Sequence, residues 1–425
     1  MEKHLIKQIL LEQREEIGRI FKERIIKREV EPETRKASES DLVKVIMGVR
    51  RCGKSVLAHQ LLRDKKYGYV NFDDERLIGT KAKDLNDFLE VLKEIEPDFN
   101  HLLLDEVQNI EGWELFVNRL KRRGYNIVIT GSNSKLLSKE LATHLTGRHF
   151  SLQLYPFSFK EFLLLKDFKV EENDFYITEK RAKIKRLLEE YLRIGGLPEI
   201  FKLELREKYL RELYDKIVTR DIVLRYNIKY VKDLKEMALY SISNFGSKMS
   251  LSKIKNIFEI KSVHTVKNYL QFLEEAYLLF TLSAFSFKLK EQLKKPKKIY
   301  CIDTGLINAL VPKFTHDRGR LMENLVFLEL KRQNREFYFY SQANYEVDFL
   351  IKKGLKVDQL IQACYSLENE GARRREVKAL LKASRELECK DLLIITWDEE
   401  GEENINSKTI RFLPLWKWLL QKENH

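Results

Sequence analysis

The chain is poor in cysteine. Cys52, Cys301, Cys364 and Cys389 are widely spaced among 425 residues, and none forms a C-x-x-C pair. That excludes a disulfide framework and a zinc site of the usual spacing, and it suits a reducing compartment. Long apolar runs are missing too. Ala276–Phe287 is too short to span a bilayer, which takes about 20 residues, and it has polar breaks. The first residues include Glu2, Lys3, Glu12 and Arg14, with no apolar stretch of the secretory kind. Internal repeats and low-complexity tracts are absent. These absences point to a soluble cytoplasmic protein with no membrane partner.

The hydrophobic fraction is 44%, which predicts a packed core rather than disorder. The length allows two to four domains, because one core rarely organises more than about 250 residues. Charged residues make up 34%, mostly Lys and Glu, a bias seen in proteins from hot environments where surface ion-pair networks gain value. The net charge of +13 and pI near 9.2 favour polyanions such as nucleic acid or anionic lipid.

Residues 1–40 read as a charged amphipathic helix (Leu5, Ile6, Ile9, Leu10, Ile17, Ile20, Phe21) and a polar linker around Glu31–Ser40. Strand-like runs then alternate with helical stretches: Leu42–Met47, Tyr69–Phe72, His101–Leu104, Asn126–Thr130 and Phe150–Leu154. That alternation predicts βαβ units and a buried parallel sheet flanked by helices, an α/β fold. After Pro156 the pattern turns helical (Glu179–Leu192, Leu203–Arg225). A compact helical unit near 236–303 closes with two strands. Beyond Leu321, a helix and strand-like runs at Phe337–Tyr340, Val347–Lys352 and Val357–Cys364 predict a second α/β domain, ending at Leu393–Trp397 and a C-terminal helix.

The segment Gly48-Val49-Arg50-Arg51-Cys52-Gly53-Lys54-Ser55 fits G-x-x-x-x-G-K-S between a strand and an amphipathic helix that opens with Val56 and Leu57. Its glycines let the backbone wrap a phosphate with N–H groups and a helix N-terminus facing the negative charge. Lys54 reaches the β and γ phosphates of ATP, and Ser55 offers its hydroxyl to Mg2+. About fifty residues later, His101-Leu102-Leu103-Leu104 ends in Asp105-Glu106. Paired carboxylates at the end of an apolar strand suit Asp105 to orienting magnesium and Glu106 to polarising the attacking water. The next strand ends in Gly131-Ser132-Asn133, where Ser132 or Asn133 would reach the γ phosphate or water.

These motifs resemble the AAA+ superfamily. More narrowly, Gly48–Ser55, Leu103–Gln108, Ile129–Ser134, Thr146-Gly147-Arg148 and Tyr155-Pro156-Phe157-Ser158-Phe159 resemble a prokaryotic and archaeal ATPase family. That family couples a P-loop domain to a winged helix and a restriction-endonuclease-like domain of unknown function. The resemblance implies a P-loop core at 41–158, a helical lid at 159–235, a winged helix at 236–312 and an inactive nuclease-like domain at 313–425. It also implies that Arg148 meets a γ phosphate, in its own chain or in a neighbouring subunit of a homo-oligomer. As a residue, Arg148 reads simply as a surface arginine at a strand start. Arg50 and Arg51 add charge near the phosphates or are solvated.

Within 250–300, Leu251–Phe258 and Val263–Ala276 read as two helices. Val266, Leu270, Leu273 and Tyr277 face the core, and His264, Lys267, Asn268 and Gln271 lie opposite. Strands at Leu279–Phe287 and Lys298–Asp303 frame a tip rich in Lys288, Lys290, Lys294, Lys295, Lys297 and Lys298, which suits DNA or RNA. In the last domain, Glu323 and Glu346-Val347-Asp348 match the acids of a restriction-type nuclease. However, Ile361-Gln362-Ala363-Cys364 stands where E-x-K would be, leaving an acid and a lysine missing. Lys352, Lys353 or Lys356 could supply a migrated lysine. Three activities remain open: a motor or switch ATPase acting on nucleic acid, a signalling switch that controls a protein partner, and an ATP-regulated nuclease.

Overall fold

The computed structural model describes residues 2–133, 147–311 and 318–421. Ser134, Thr146 and the expected 312/313 boundary lie outside the described residues. The chain forms two compact units, Met1–Pro156 with Glu275–Tyr277, and Phe157–Glu274 with Leu278–His425.

The first unit begins with α1 (Lys3–Ile20) and α2 (Glu31–Ser38). Then come β1 (Val43–Met47), α3 (Lys54–Leu61), β2 (Tyr67–Asn71), α4 (Leu85–Ile95), β3 (His101–Asp105), α5 (Trp113–Arg122), β4 (Asn126–Gly131) and β5 (His149–Gln153). All five strands are parallel, in the order β2-β3-β4-β1-β5. β1 is buried along its whole length, as expected of an inner strand covered on both faces. α4 turns Leu85, Phe88, Val91 and Leu92 inward, and α5 does so with Trp113, Phe116, Val117 and Leu120, both at helical spacing.

Two features depart from the expected N-terminal helix and linker. The segment read as a linker contains α2, which has Pro32 in its first turn, Glu31 and Glu33 at its start, and Arg35 and Lys36 at its end. These suit a helix start and the helix dipole. α1, for its part, bonds the last residue of the edge strand β2. The Gln13 side-chain amide donates to the Asn71 carbonyl (3.0 Å) and accepts from the Asn71 N–H (2.9 Å), as a neighbouring strand would.

The second unit opens with α6 (Phe159–Leu165), α7 (Thr178–Ile194), α8 (Arg206–Lys216) and α9 (Val231–Ser243). The single helix expected over Leu203–Arg225 begins at Arg206 and passes into a π-helix at Ile217–Leu224. β6 (Lys248–Met249), α10 (Leu251–Ile257), α11 (Val263–Glu275), β7 (Leu279–Leu282), α12 (Leu289–Lys294) and β8 (Lys297–Cys301) follow. The three strands form an antiparallel sheet, β6-β8-β7. Val266, Leu270 and Leu273 of α11 are buried, whereas His264 and Lys267 are exposed.

One expectation at the tip is corrected. Lys298, expected among the lysines of the nucleic-acid-facing tip, lies on β8 and is 2% exposed. Extended backbone alternates its side chains, so Lys297 faces water while Lys298 turns inward. The tip also carries the short helix α12, from which Leu289 and Leu293 protrude beside Lys290 and Lys294.

α13 (Thr304–Leu310) and α14 (Arg318–Arg332) lead to a mixed sheet of β9 (Glu336–Gln342), β10 (Tyr345–Lys353), β11 (Lys356–Ala363), β12 (Asp391–Thr396), β13 (Gly401–Ile405) and β14 (Lys408–Pro414). α15 (Glu370–Glu386) stands between β11 and β12, and α16 (Leu415–Leu420) closes the described chain. The order is β13-β14-β12-β11-β10-β9. Val347, Leu350, Leu360, Leu380, Leu392, Ile394, Ile410 and Phe412 share its core. β13 and β14 follow the last expected strand, Leu393–Trp397, in the stretch where only a C-terminal helix was expected. Their polar hairpin turns on Asn406 and Ser407, both at positive φ, the two-residue connection that matches strand twist.

Candidate active site

The C-terminal ends of β1, β3 and β4 lie side by side, because β4 pairs with β1 on one edge and β3 on the other. Gly48 leaves β1 so close to the chain after β5 that a Cβ there would stand 2.2 Å from the Leu154 carbonyl oxygen. Gly53 (φ +96°) begins α3, a conformation that favours glycine, and Arg51 is also left-handed (φ +70°). Val49 and Cys52 are buried beneath the loop, and burial pushes the Cys52 thiol pKa up. The structure therefore brings Gly48 to Val56 together as one turn into a helix.

Lys54 is 5% exposed. Its Nζ lies 3.3 Å from Glu106 Oε1 and donates to the Val49 carbonyl at 3.3 Å. Burial opposes its charge, but the Glu106 carboxylate, with smaller help from Cys52 and Asp105, outweighs it and raises the Lys54 pKa. Glu106 has left-handed backbone (φ +50°), which turns its side chain toward β4. There Glu106 Oε2 accepts from the Ser132 N–H (3.1 Å) and Ser132 hydroxyl (3.0 Å), and from the Gln108 amide. Burial would raise the Glu106 pKa, yet Lys54, Arg50 and these hydrogen bonds hold it down to about 2.

Asp105 behaves oppositely. Burial and the charge of Glu106 raise its pKa, against hydrogen bonds from the Ser55 and Thr130 hydroxyls and the charge of Lys54. Thr130 Oγ1 also accepts from the Glu106 N–H (3.2 Å), so one hydroxyl links both acids. Asn133 is fully buried beside Ser132 at the end of β4.

The donors at Ser55 and Asp105 are hard oxygen groups joined to each other, which fits Mg2+. Among the described residues no group of three His, Cys, Asp or Glu side chains could hold a metal ion. Mg2+ is commonly held by one or two protein oxygens, substrate phosphates and water rather than by such a cage.

Arg148 is placed apart from this group. It is exposed immediately before β5, and its carbonyl accepts from the Val43 N–H at 2.9 Å. Both parallel strands start there, so Arg148 stands at the opposite end of the sheet from the loop, roughly 15 Å away at strand rise. Arg50 is not simply solvated, since it pairs with Asp73 at 3.0 Å.

Sequence reasoning missed Arg28 altogether. It is 6% exposed, and its two guanidinium nitrogens donate to the carbonyls of Cys52 (2.9 Å) and Tyr155 (2.6 Å). It thereby clamps the phosphate loop to the segment after β5. An isolated arginine in a charged segment carries no signal of that role. Thr130, by contrast, stood at the end of a predicted strand, and a hydroxyl beside two carboxylates was a readable clue.

Residues 40–163 match the AAA domain family, and residues 185–317 match a domain of unknown function. Over 398 residues the chain is 40% identical to an uncharacterized protein of Methanocaldococcus jannaschii, covering 89% of this chain and 88% of that one. An uncharacterized protein of Haemophilus influenzae is 34% identical over 334 residues, covering 74% and 80%. Among solved structures, a Walker-type ATPase of Pyrococcus abyssi is similar with a TM-score of 0.43 and 16% identity. That match covers 67% of this chain and 96% of that one. No helix among the described residues is long and apolar enough to cross a membrane.

Proposed function

Because the chain belongs to one family with these Methanocaldococcus jannaschii and Haemophilus influenzae proteins, and carries the AAA domain of an ATPase, we propose that it hydrolyses ATP with Mg2+ and couples turnover to nucleic acid or a nucleic-acid complex. The observation that carries the hydrolytic reading is the convergence of Lys54, Asp105, Glu106 and Ser132 at three adjacent strand ends. The backbone from Gly48 to Ser55, with Val56 behind it, cradles the phosphates, and Lys54 neutralises the β and γ groups. Ser55 and Asp105 hold magnesium, which when bound screens phosphate charge. Glu106 orients and deprotonates the attacking water once Lys54 turns to phosphate. Ser132 holds Glu106 in place, and Asn133 reads the γ phosphate. Arg148, distant from its own loop, serves a neighbouring copy in a homo-oligomer.

The division into N-terminal segment (1–40), core (41–158), lid (159–235), winged helix (236–312) and nuclease-like domain (313–425) belongs to the same proposal. Exposed His264 and Lys267 on α11, and the lysines around α12, support nucleic-acid binding. Reversing the charge of Lys290, Lys294, Lys295 and Lys297 should weaken binding to a DNA duplex. Its salt slope should fall by about one for each phosphate no longer neutralised, measured by anisotropy across a salt series. An unchanged slope would remove the tip from the interface. ATP hydrolysis assayed with and without DNA tests the coupling itself.

A slow signalling switch is the second reading. The observation that favours it is Glu106 tied to Lys54, a contact that must be released before catalysis. Hydrolysis that is slow and indifferent to DNA would select it. The nuclease-like domain is proposed to be inactive, so supercoiled, linear and single-stranded DNA with Mg2+ or Mn2+ should remain intact, with or without ATP. Cleavage abolished by Asp348→Ala would promote an ATP-regulated nuclease instead.

A further inference from the structure

The buried Lys298 has a surrounding that the ATPase reading does not use. Its Nζ lies 2.8 Å from Glu323 Oε1, 2.8 Å from Glu346 Oε1 and 2.9 Å from Asp348 Oδ1. An ammonium has three N–H donors, and here three carboxylates take them. The pocket is further ordered around these acids. The Tyr300 hydroxyl donates to Glu323 Oε1 (2.7 Å), and the Ala363 N–H donates to Asp348 Oδ2 (3.1 Å). Gln362 accepts from the Asp348 N–H (2.9 Å) and donates to the Glu346 carbonyl (3.1 Å) and to Glu376.

These groups come from separate elements. Glu323 is on α14, Glu346 and Asp348 are on β10, and the lysine arrives from β8 of the other sheet. Of these acids Lys248 pairs with Glu346 alone, so without Lys298 the Glu323 and Asp348 carboxylates would face each other with no cation between them, and the oxygens of the three acids are donors suited to a hard divalent ion. A divalent metal would need oxygens at about 2.0–2.6 Å. The ammonium instead sits at hydrogen-bond distance from all three, so the centre is already filled. Gln362, a neutral group where a further acid would strengthen metal binding, reinforces this.

We infer that Lys298 is the resident cation of this acid pocket, tying the three-stranded sheet to the six-stranded one and keeping divalent metal out. The missing lysine of the nuclease pattern is thus present from an unexpected strand, in the place of the metal rather than beside it. This inference does not depend on the ATPase reading.

The test is Mn2+ binding to the full chain without nucleotide, followed by electron paramagnetic resonance. Wild type and Asp348→Asn should give the same titration. Lys298→Met should gain about one Mn2+ per chain, and Lys298→Met with Asp348→Asn should lose it again. A wild-type Mn2+ site that Asp348→Asn abolishes would overturn the inference, because the carboxylates would then hold metal beside the ammonium. So would a Lys298→Met chain with native circular dichroism and no added site. If Lys298→Met does not fold, the comparison of wild type with Asp348→Asn decides alone.

Discussion

Glu106→Gln should lower ATP turnover roughly a hundredfold or more, the scale expected for loss of a general base, while ATP still binds. The structure adds a sign to the second half. Glu106 lies 3.3 Å from the Lys54 ammonium and so competes with phosphate for it. A glutamine keeps the shape and can still accept from Ser132, but it carries no charge to hold Lys54. Affinity for ATP should therefore be unchanged or higher. Phosphate release and binding of a fluorescent nucleotide separate the two effects. Near-normal turnover would take Glu106 out of the chemistry.

Lys54→Ala should act on binding and on the fold together. Loss of the phosphate-facing charge should weaken ATP by about thirtyfold or more, since truncating one partner of a buried charge pair between protein and ligand costs about 2–5 kcal/mol. The same change leaves the buried Asp105 and Glu106 carboxylates without their nearest cation. Glu106 is held down to about 2, below its ordinary 4.5, so its contribution to stability is complete above pH 4.5 and fades as pH falls toward 2. Losing Lys54 removes the main cause of that depression. The variant should therefore be less stable than wild type by most at neutral pH, and the gap should narrow below about pH 4.5. Urea melts at several pH values check this, and a gap that widens in acid would refute the assignment.

How much could be read in advance varies by element. The parallel sheet was legible because each strand is an apolar run bounded by polar residues, and β1 to β5 fall within about two residues of the expected positions. The loop from Gly48 to Ser55 was legible because its glycines and Lys54 belong to one contiguous turn. Arg28, Asp73 and Gln13 were not, because their partners are dozens of residues away and their own neighbours look like ordinary charged surface. The hairpin of β13 and β14 escaped notice because Glu402, Glu403 and Asn404 hide a strand that has little to bury. Lys298 was misread for a related reason. Composition showed a lysine-rich tip, but strand alternation turned one of those lysines through the sheet.

Arg28 and Gln13 bear on what counts as a module. The stretch shared with the AAA domain family begins at residue 40, downstream of both side chains. Yet one of them fastens the phosphate loop from behind, and the other bonds the last residue of β2. Excised at that boundary, the ATPase would keep every signature residue, but it would leave the Asn71 N–H and carbonyl at the end of β2 without Gln13, and the Cys52 and Tyr155 carbonyls without their guanidinium. The matched stretch is shorter than the unit that folds. Grafts, fusions and deletions in this protein should be planned from α1 onward.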